Sequence, residues 1–420
     1  MPDDIEIRVL RQRSLGSART VLAPLTGSEP VRSLYFHVPF CAHKCHYCDF
    51  YSIVDRQDRQ AEFTDRLCRE LDALAPLAGP LDTIFVGGGT PTLLAPHLWQ
   101  QILERLADRF DLATIREGTG EFTIEANPET VTPELMRTLA AGGVNRVSVG
   151  AQSYDKRHLI TLERRHDPAN VARAVELARA AGIARQSVDL IFAIPGQTLE
   201  DWANDLARAL ALGTEHISCY ALTYEPGTAM TARMARGEFA PADHDLEADL
   251  YEHTVTAVRA AGLERYEVSN FARPGAECRH NMAYWRQHDW LAAGPSASGN
   301  MGGHRWKNVP RLDEYLEGED AGFARIVEHE PPEPRRNLAE WIMTGVRLSE
   351  GLDRAALRAR AEAIEPAAVD RLDRALAGHD SHGWISDDAD RLRLTDAGFL
   401  FADRVAADLM ACLDPAHSLG

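Results

Sequence analysis

Between residues 33 and 262, short apolar runs rich in β-branched and aromatic residues alternate with longer runs of helical period. The strand-like runs are SLYFHVPF (33–40), LDTIFVGGG (81–89), EFTIEANP (121–128), RVSVGAQ (146–152), SVDLIFAIPG (187–196) and HISCYALTYE (216–225). Amphipathic stretches such as FTDRLCRELDALA, HLWQQILERLADRF and LEDWANDLARALALG separate them, and DLEADLYEHTVTAVRAAG follows the last. Six β-then-α units in succession predict a parallel sheet of the α/β class, because parallel neighbours need a crossover. Right-handed crossovers curl such a sheet into a partial (β/α)6 barrel or a doubly wound sheet. The chemistry-bearing residues favour the barrel. His37 to Cys48 follow the first run, Gly87–Thr90 the second, and Glu125 and Asn127 the third. Gln152 ends the fourth and Asp189 lies in the fifth. Barrel enzymes gather their chemistry at the C-terminal ends of the strands.

The rhythm changes after residue 262. Residues 265–310 are rich in Tyr, Trp, His, Asn and Gly, and 335–412 read as helices with a terminal hairpin, GWISDDADRLRLTDAGFLFADRV. That pattern predicts a C-terminal winged-helix-like α+β domain, with the Pro-rich EHEPPEPRR (328–336) as linker. The expected organisation is an N-terminal arm (1–30), a barrel core (31–265), an extension over the barrel (266–327) and the C-terminal domain (335–420).

Composition narrows the function classes. Lys and Arg total 45 against 63 Asp and Glu, a formal charge of −18. No basic stripe is present, so a nucleic-acid partner is not expected. No run of 18 apolar residues predicts a membrane span, and the first 30 residues lack the apolar core of a secretory signal. A cytoplasmic protein is expected. Of seven cysteines, three crowd into eight residues and four are scattered. That is a metal-site pattern rather than a disulfide framework.

The cluster reads Tyr35-Phe-His-Val-Pro-Phe-Cys41-Ala-His-Lys-Cys45-His-Tyr-Cys48-Asp-Phe50. Thiolates are soft ligands suited to zinc or iron–sulfur centres. Three thiolates on a [4Fe–4S] cubane leave one iron open, and that iron can chelate the amino and carboxylate groups of S-adenosylmethionine (SAM). The alternative is a structural zinc site with His43 or His46 as fourth ligand.

Taken together, these motifs resemble the radical SAM superfamily, in the branch that holds oxygen-independent coproporphyrinogen III oxidase and its heme-chaperone relatives. The resemblance runs from about residue 33 to 408. It implies the cluster on Cys41, Cys45 and Cys48, with Tyr47 against the adenine of SAM and Tyr35 as a further contact. It implies that Gly88, Gly89 and Thr90 of GGGTPT meet the methionine end of SAM. Glycines would let backbone approach a ligand closely. Glu125, Gln152, Arg164 (or Arg165, one register away), Asp189 and Thr223 match further SAM-side positions. Taken singly, each of these polar residues reads equally as a cap or a satisfied core group.

Two features divide the branch. The oxidases continue the cluster motif with a fourth cysteine where this chain has Phe50. Downstream, His280-Asn281-Met282-Ala283-Tyr284-Trp285 matches HNxxYW, which in the chaperone relatives is linked to heme binding. The resemblance therefore implies heme as cargo, with His280 or Cys278 as iron ligand and heme-accepting respiratory proteins, some at the membrane, as partners. It also hints at a homodimer. A structural His280, with HNxxYW closing the barrel, stays open, as does the oxidase reaction itself. One departure stands out: where the relatives read near GxGPGAHG, this chain has Ser296 for a glycine and Ser298 for the histidine, with His304 nearby.

Overall fold

The computed structural model describes residues 16–26, 29–386 and 388–414. The six expected strands form as β1 (Val31–Val38), β2 (Ala78–Gly88), β3 (Glu121–Ala126), β4 (Arg146–Gln152), β5 (Arg185–Phe192) and β6 (His216–Ala221). Helices α1 (Gln60–Leu74), α2 (Pro96–Arg109), α3 (Pro133–Ala141), α4 (Ala169–Ala180), α5 (Leu199–Leu210) and α6 (His244–Ala260) follow them in turn. The helix starts are written locally. Thr132 accepts from the Leu135 N–H with Pro133 in the first turn of α3. Thr198 and Asp201 cap α5 reciprocally.

Three short strands complete the sheet: β7 (Glu264–Glu267), β8 (Asn270–Ala272) and β9 (Leu291–Ala293). The order is β9-β1-β2-β3-β4-β5-β6-β8-β7. β9 lies parallel to β1, with Leu291 opposite Leu34, and β8 is antiparallel to β6. Among the described residues no ladder joins β9 to β7, so the barrel is partial. Its two edges are covered by one segment of chain, 264–293, which carries the helix α7 (Arg279–Trp285) from one edge to the other.

Alternation along the strands sets two faces. Ile84, Val86, Phe122, Ile124, Val147, Val149, Val188 and Leu190 are buried under the helices. The inner face is polar. Ser148 donates to Asp189 at 2.9 Å, Ser187 meets His216 Nδ1 at 2.7 Å, and His216 Nε2 meets the Tyr266 hydroxyl at 2.8 Å. A polar interior of this kind survives because its groups satisfy one another.

Two sequence expectations need correction. A separate N-terminal arm was expected over residues 1–30. Residues 1–15 and 27–28 lie outside the described residues, but Gly16–Ser17 pairs antiparallel with Phe323–Glu330, and Ala18, Val21 and Leu22 are buried. That apolar triplet has a core to enter. The second sheet it joins also holds His304–Asn308 and Ser298–Met301. The linker is shorter than 328–336, because the strand runs to Glu330 and the next helix, Pro334–Gly345, starts four residues later. Helices Arg354–Ile364, Pro366–Ser381 and Ala402–Ala411 and a two-stranded ladder of Leu352–Asp353 with Arg391–Leu392 complete the C-terminal part. No helix among the described residues is long and apolar enough to cross a membrane.

Candidate functional site

The three clustered cysteines sit on a loop at the C-terminal end of β1. Its base is pinned by Cys41 N–H to the Ile53 carbonyl and Ile53 N–H to the Pro39 carbonyl, both 2.8 Å. Its far side is held by His46 N–H to the Leu162 carbonyl at 3.3 Å and Met230 N–H to the His46 carbonyl at 2.8 Å. Lys44 folds back to donate to the Phe50 carbonyl and the Ser52 hydroxyl. All seven cysteines are free thiols. Burial raises the Cys41 thiol, and it pushes the Cys48 thiol up to about 11. Cys41 Sγ lies 3.5 Å from Thr90 Oγ1, and the Arg164 guanidinium lies 3.8 Å from Cys45 Sγ. Phe50 points to solvent, 63% exposed.

The two histidines of the zinc alternative are engaged elsewhere. His43 Nε2 lies 3.3 Å from Glu163, and His46 Nδ1 accepts from Arg233 at 3.1 Å. Among the described residues, the trio of metal-type donors that falls within 4.8 Å of one another is Asp155, His158 and Asp201, not the three thiols.

The glycine run borders the thiol loop, for a reason the sequence reading did not anticipate. A Cβ on Gly88, whose φ is +103°, would sit 2.4 Å from the His37 ring, and one on Gly89 would sit 2.7 Å from the Phe40 carbonyl oxygen. Close packing of protein on protein demands these glycines, whatever approaches from the open side. Thr90 is buried, its N–H bonded to the Phe40 carbonyl at 2.7 Å.

Glu125, at the end of β3, accepts from the Gly88 N–H at 3.2 Å. Burial, then the negative charge of Asp189, pushes its carboxyl up to about 7. Asp189 is likewise raised by burial, partly offset by serine hydroxyls and Arg146. Gln152 takes a left-handed φ of +61°. A Cβ on Gly150 would meet Gln152 Nε2 at 2.8 Å and Arg164 Nη2 at 3.0 Å, so Gly150 is the gap that brings these two together. Arg164 also donates to the Gly150 carbonyl at 2.9 Å. Arg164 faces the thiols, while Arg165 is exposed beside Glu163.

Tyr35 and Tyr47 are placed differently from each other. Tyr47 packs at a small apolar cluster of Leu162, Ile191, Ile194, Leu222 and Met230, apart from the main core. The Tyr35 hydroxyl donates to His37 Nδ1 at 3.1 Å, since His37 Nε2 carries its proton toward the Tyr51 carbonyl at 2.7 Å. His37 was missed in the sequence; its role is to tie β1 to the loop. Thr223 is exposed, its hydroxyl turned back on the Ala221 carbonyl. A surface groove of about 740 Å³ beside Leu103, Ile115 and Arg137 lies on the outer helical layer and takes in none of these residues.

His280 is not where a heme ligand was expected. α7 lies at the opposite end of the strands from the thiol loop: the Arg279 and His280 N–H groups bond Glu121, the first residue of β3, at 3.0 and 3.2 Å. The ring is fully buried, with Nδ1 2.8 Å from Thr83 Oγ1, Nε2 2.8 Å from the Tyr284 hydroxyl, and Phe85 stacked at 5.4 Å. Both nitrogens are taken in this placement, which matches the structural alternative for His280 left open above. Cys278 is also buried, 3.3 Å from Glu121. Ser296 adopts φ +64°, a backbone that favours glycine. Ser298 is exposed, and His304 turns to His329 at 3.1 Å rather than filling the missing histidine's place.

The Radical SAM superfamily model matches residues 35–209, and the HemN C-terminal domain model matches 333–401. A Mycobacterium tuberculosis protein named heme chaperone HemW is 39% identical over 399 residues, 93% of this chain and 97% of its own. The Escherichia coli heme chaperone HemW is 33% identical over 89% of this chain and 96% of its own. Coproporphyrinogen III oxidase (HemN) from Escherichia coli shares the fold, with a TM-score of 0.79 over 96% of this chain and 94% of its own, at 22% identity. The chain therefore belongs to the radical SAM superfamily, in the family of the heme chaperone HemW.

Proposed function

We propose that this chain is a heme chaperone that carries a [4Fe–4S] cluster on Cys41, Cys45 and Cys48, binds SAM beside it, and hands heme to hemoproteins of the respiratory chain. The observation that carries this reading is the donor set: three soft thiols on one braced loop, with an exposed Phe50 in the fourth position. It is supported by near-full-length relatives that bear the chaperone name.

The donor set suits a cubane better than one metal ion. Sulfurs sharing a zinc at about 2.3 Å would crowd to within about 4 Å of each other, and these three do not form so tight a group. When bound, the cluster and SAM supply one-electron chemistry that side chains lack. The rest is done by the protein. Cys41, Cys45 and Cys48 would hold the cluster through three thiolates, leaving an iron open to SAM. Arg164, beside Cys45, offsets the thiolates' negative charge. Gly88, Gly89 and Thr90 offer backbone to the methionine end, while Glu125, Gln152 and Asp189 offer polar groups to the amine and ribose. Tyr47 and its apolar cluster give the adenine a dry wall. The exposed Thr223 closes the site from the β6 side.

Heme is cargo in this reading, bound without His280 as axial ligand. Heme acceptors at the membrane, a cytoplasmic location and a homodimer belong to the same proposal. The test is anaerobic reconstitution, iron and sulfide counts in cubane ratio, then heme titration with and without SAM. A Soret band that saturates with heme is the expected result. A reconstituted protein that shows no such band ends the chaperone reading. Protoporphyrinogen made from coproporphyrinogen III under reducing conditions would replace it with the oxidase reaction.

A further inference from the structure

His166 stands two residues past Arg164, on the connection between β4 and α4, after its short helix Lys156–Thr161. Neither of its ring nitrogens has a hydrogen-bond partner, and both atoms are shut off from the surface. Enclosed polar groups in folded proteins nearly always find partners, so a pair of orphaned nitrogens on one ring calls for an explanation. Arg164 Nε, on the same connection, is orphaned as well.

The connection is not loose. Glu163 takes a left-handed φ of +54°. Arg164 N–H is bonded to the Leu159 carbonyl at 2.8 Å. Glu129 Oε1 accepts from the Asp167 N–H at 2.6 Å and from Asn170 Nδ2 at 2.9 Å. His166 is therefore braced from both sides. Burial, then the neighbouring Arg164 charge, pushes its pKa down to about 4, against smaller opposing effects of Glu129 and Asp167. The ring is neutral at physiological pH, with one N–H to donate and one lone pair to accept. Arg164, whose charge the His166 ring feels, touches Cys45 and lies against Gln152 through Gly150, all residues assigned above to the cluster and SAM.

We propose that His166 is a binding residue for SAM, reaching its polar end from the same braced connection as Arg164. The proposal rests on the SAM-binding reading of the site. A neutral imidazole suits this place. It adds a directional hydrogen bond without adding a charge next to Arg164, and it pairs with a ligand that presents both an acceptor and a donor, as an amino acid carboxylate and amine do. Arg164 Nε would find its acceptor in the same ligand.

The test is equilibrium binding of SAM to the anaerobically reconstituted full chain, with iron content and cluster absorbance measured alongside. His166→Phe keeps the ring's bulk and removes both nitrogens; it should weaken SAM binding about tenfold, the size of one lost hydrogen bond to a charged group. His166→Asn or His166→Gln, whose amides reproduce one nitrogen each, should return affinity to within about threefold in at least one case. Cluster content should match the wild type in all of them, and a merely structural histidine would not give this rescue. SAM bound by His166→Phe as tightly as by wild type overturns the proposal. If His166→Phe loads its cluster poorly, His166→Ala decides in its place, with wild-type affinity again overturning it. A wild-type protein that loads the cluster but binds no SAM overturns the reading of the site, and this proposal with it.

Discussion

Glu125 is a carboxyl held where ionising it is costly. Its pKa stands near 7 against an ordinary 4.5, from burial and from the charge on Asp189. Between those two values the folded chain keeps a proton that the unfolded chain releases. The stability this contributes is present below pH 4.5 and lost as pH rises through 7. Glu125→Gln should therefore match wild type in denaturant midpoint near pH 4.5 and exceed it at pH 8, by about 3 kcal/mol for the ligand-free chain. A difference that stays flat across that range would show that the carboxyl is not strained. Glu125 and Gln152 were legible in the sequence because they stand at strand ends, where a period-two pattern stops, and Asp189 because it interrupts the apolar run of β5. His166 was not. Nothing in Leu-Glu-Arg-Arg-His says which way each side chain turns, and its orphaned nitrogens exist only once Glu129 has folded the connection back.

At the scale of elements, α7 is the part that changed meaning. Its seven residues are too few for a helical period to register, and β9, with the three residues Leu291–Ala293, is too short to read as a strand. Sequence reasoning therefore saw the HNxxYW residues without seeing what holds them. In the fold, α7 closes the N-terminal end of the barrel, where residues serve stability more than chemistry. His280 is its central peg, bonded to Thr83 on β2 and to Tyr284 one turn along. His280→Ala should cost about 3 kcal/mol, from two orphaned hydroxyls and a cavity beside Phe85. The folded variant should bind heme within about twofold of wild type. Unchanged stability with heme binding lost would show instead that the ring swings free to reach iron. The six long β/α units, by contrast, were readable in order and type, though not in their exact ends. Each is long enough to display its own period, and α3, α5 and α6 begin at side-chain caps.

On the scale of the molecule, the barrel and the C-terminal part are not independent. One hydrophobic core runs from Ala18 to Leu413. Arg265, on β7, lies 3.5 Å over the Phe399 ring and bonds Asp396 at 2.7 Å. Ser349 donates to the Arg265 carbonyl at 2.7 Å, and Glu267 bridges to Leu348. These ties predict one cooperative thermal transition for the whole chain, with far-ultraviolet dichroism and the fluorescence of Trp384 changing together. Two separate transitions would mean that the shared core is not continuous in solution. A boundary between the parts was legible from the change of rhythm after residue 262; the seam was not, because contacts between distant residues leave no periodic trace.

The covering of both sheet edges by the segment 264–293 has a consequence for synthesis. β1 leaves the ribosome about 250 residues before β9, its outer neighbour. At roughly 5–20 residues per second that is a wait of about 10–50 s. Through that interval the nascent chain shows an unpaired strand edge, which invites pairing with other chains, directly beside three reduced thiols. The newborn protein is at its most vulnerable, to aggregation and to oxidation alike, before translation reaches Leu291.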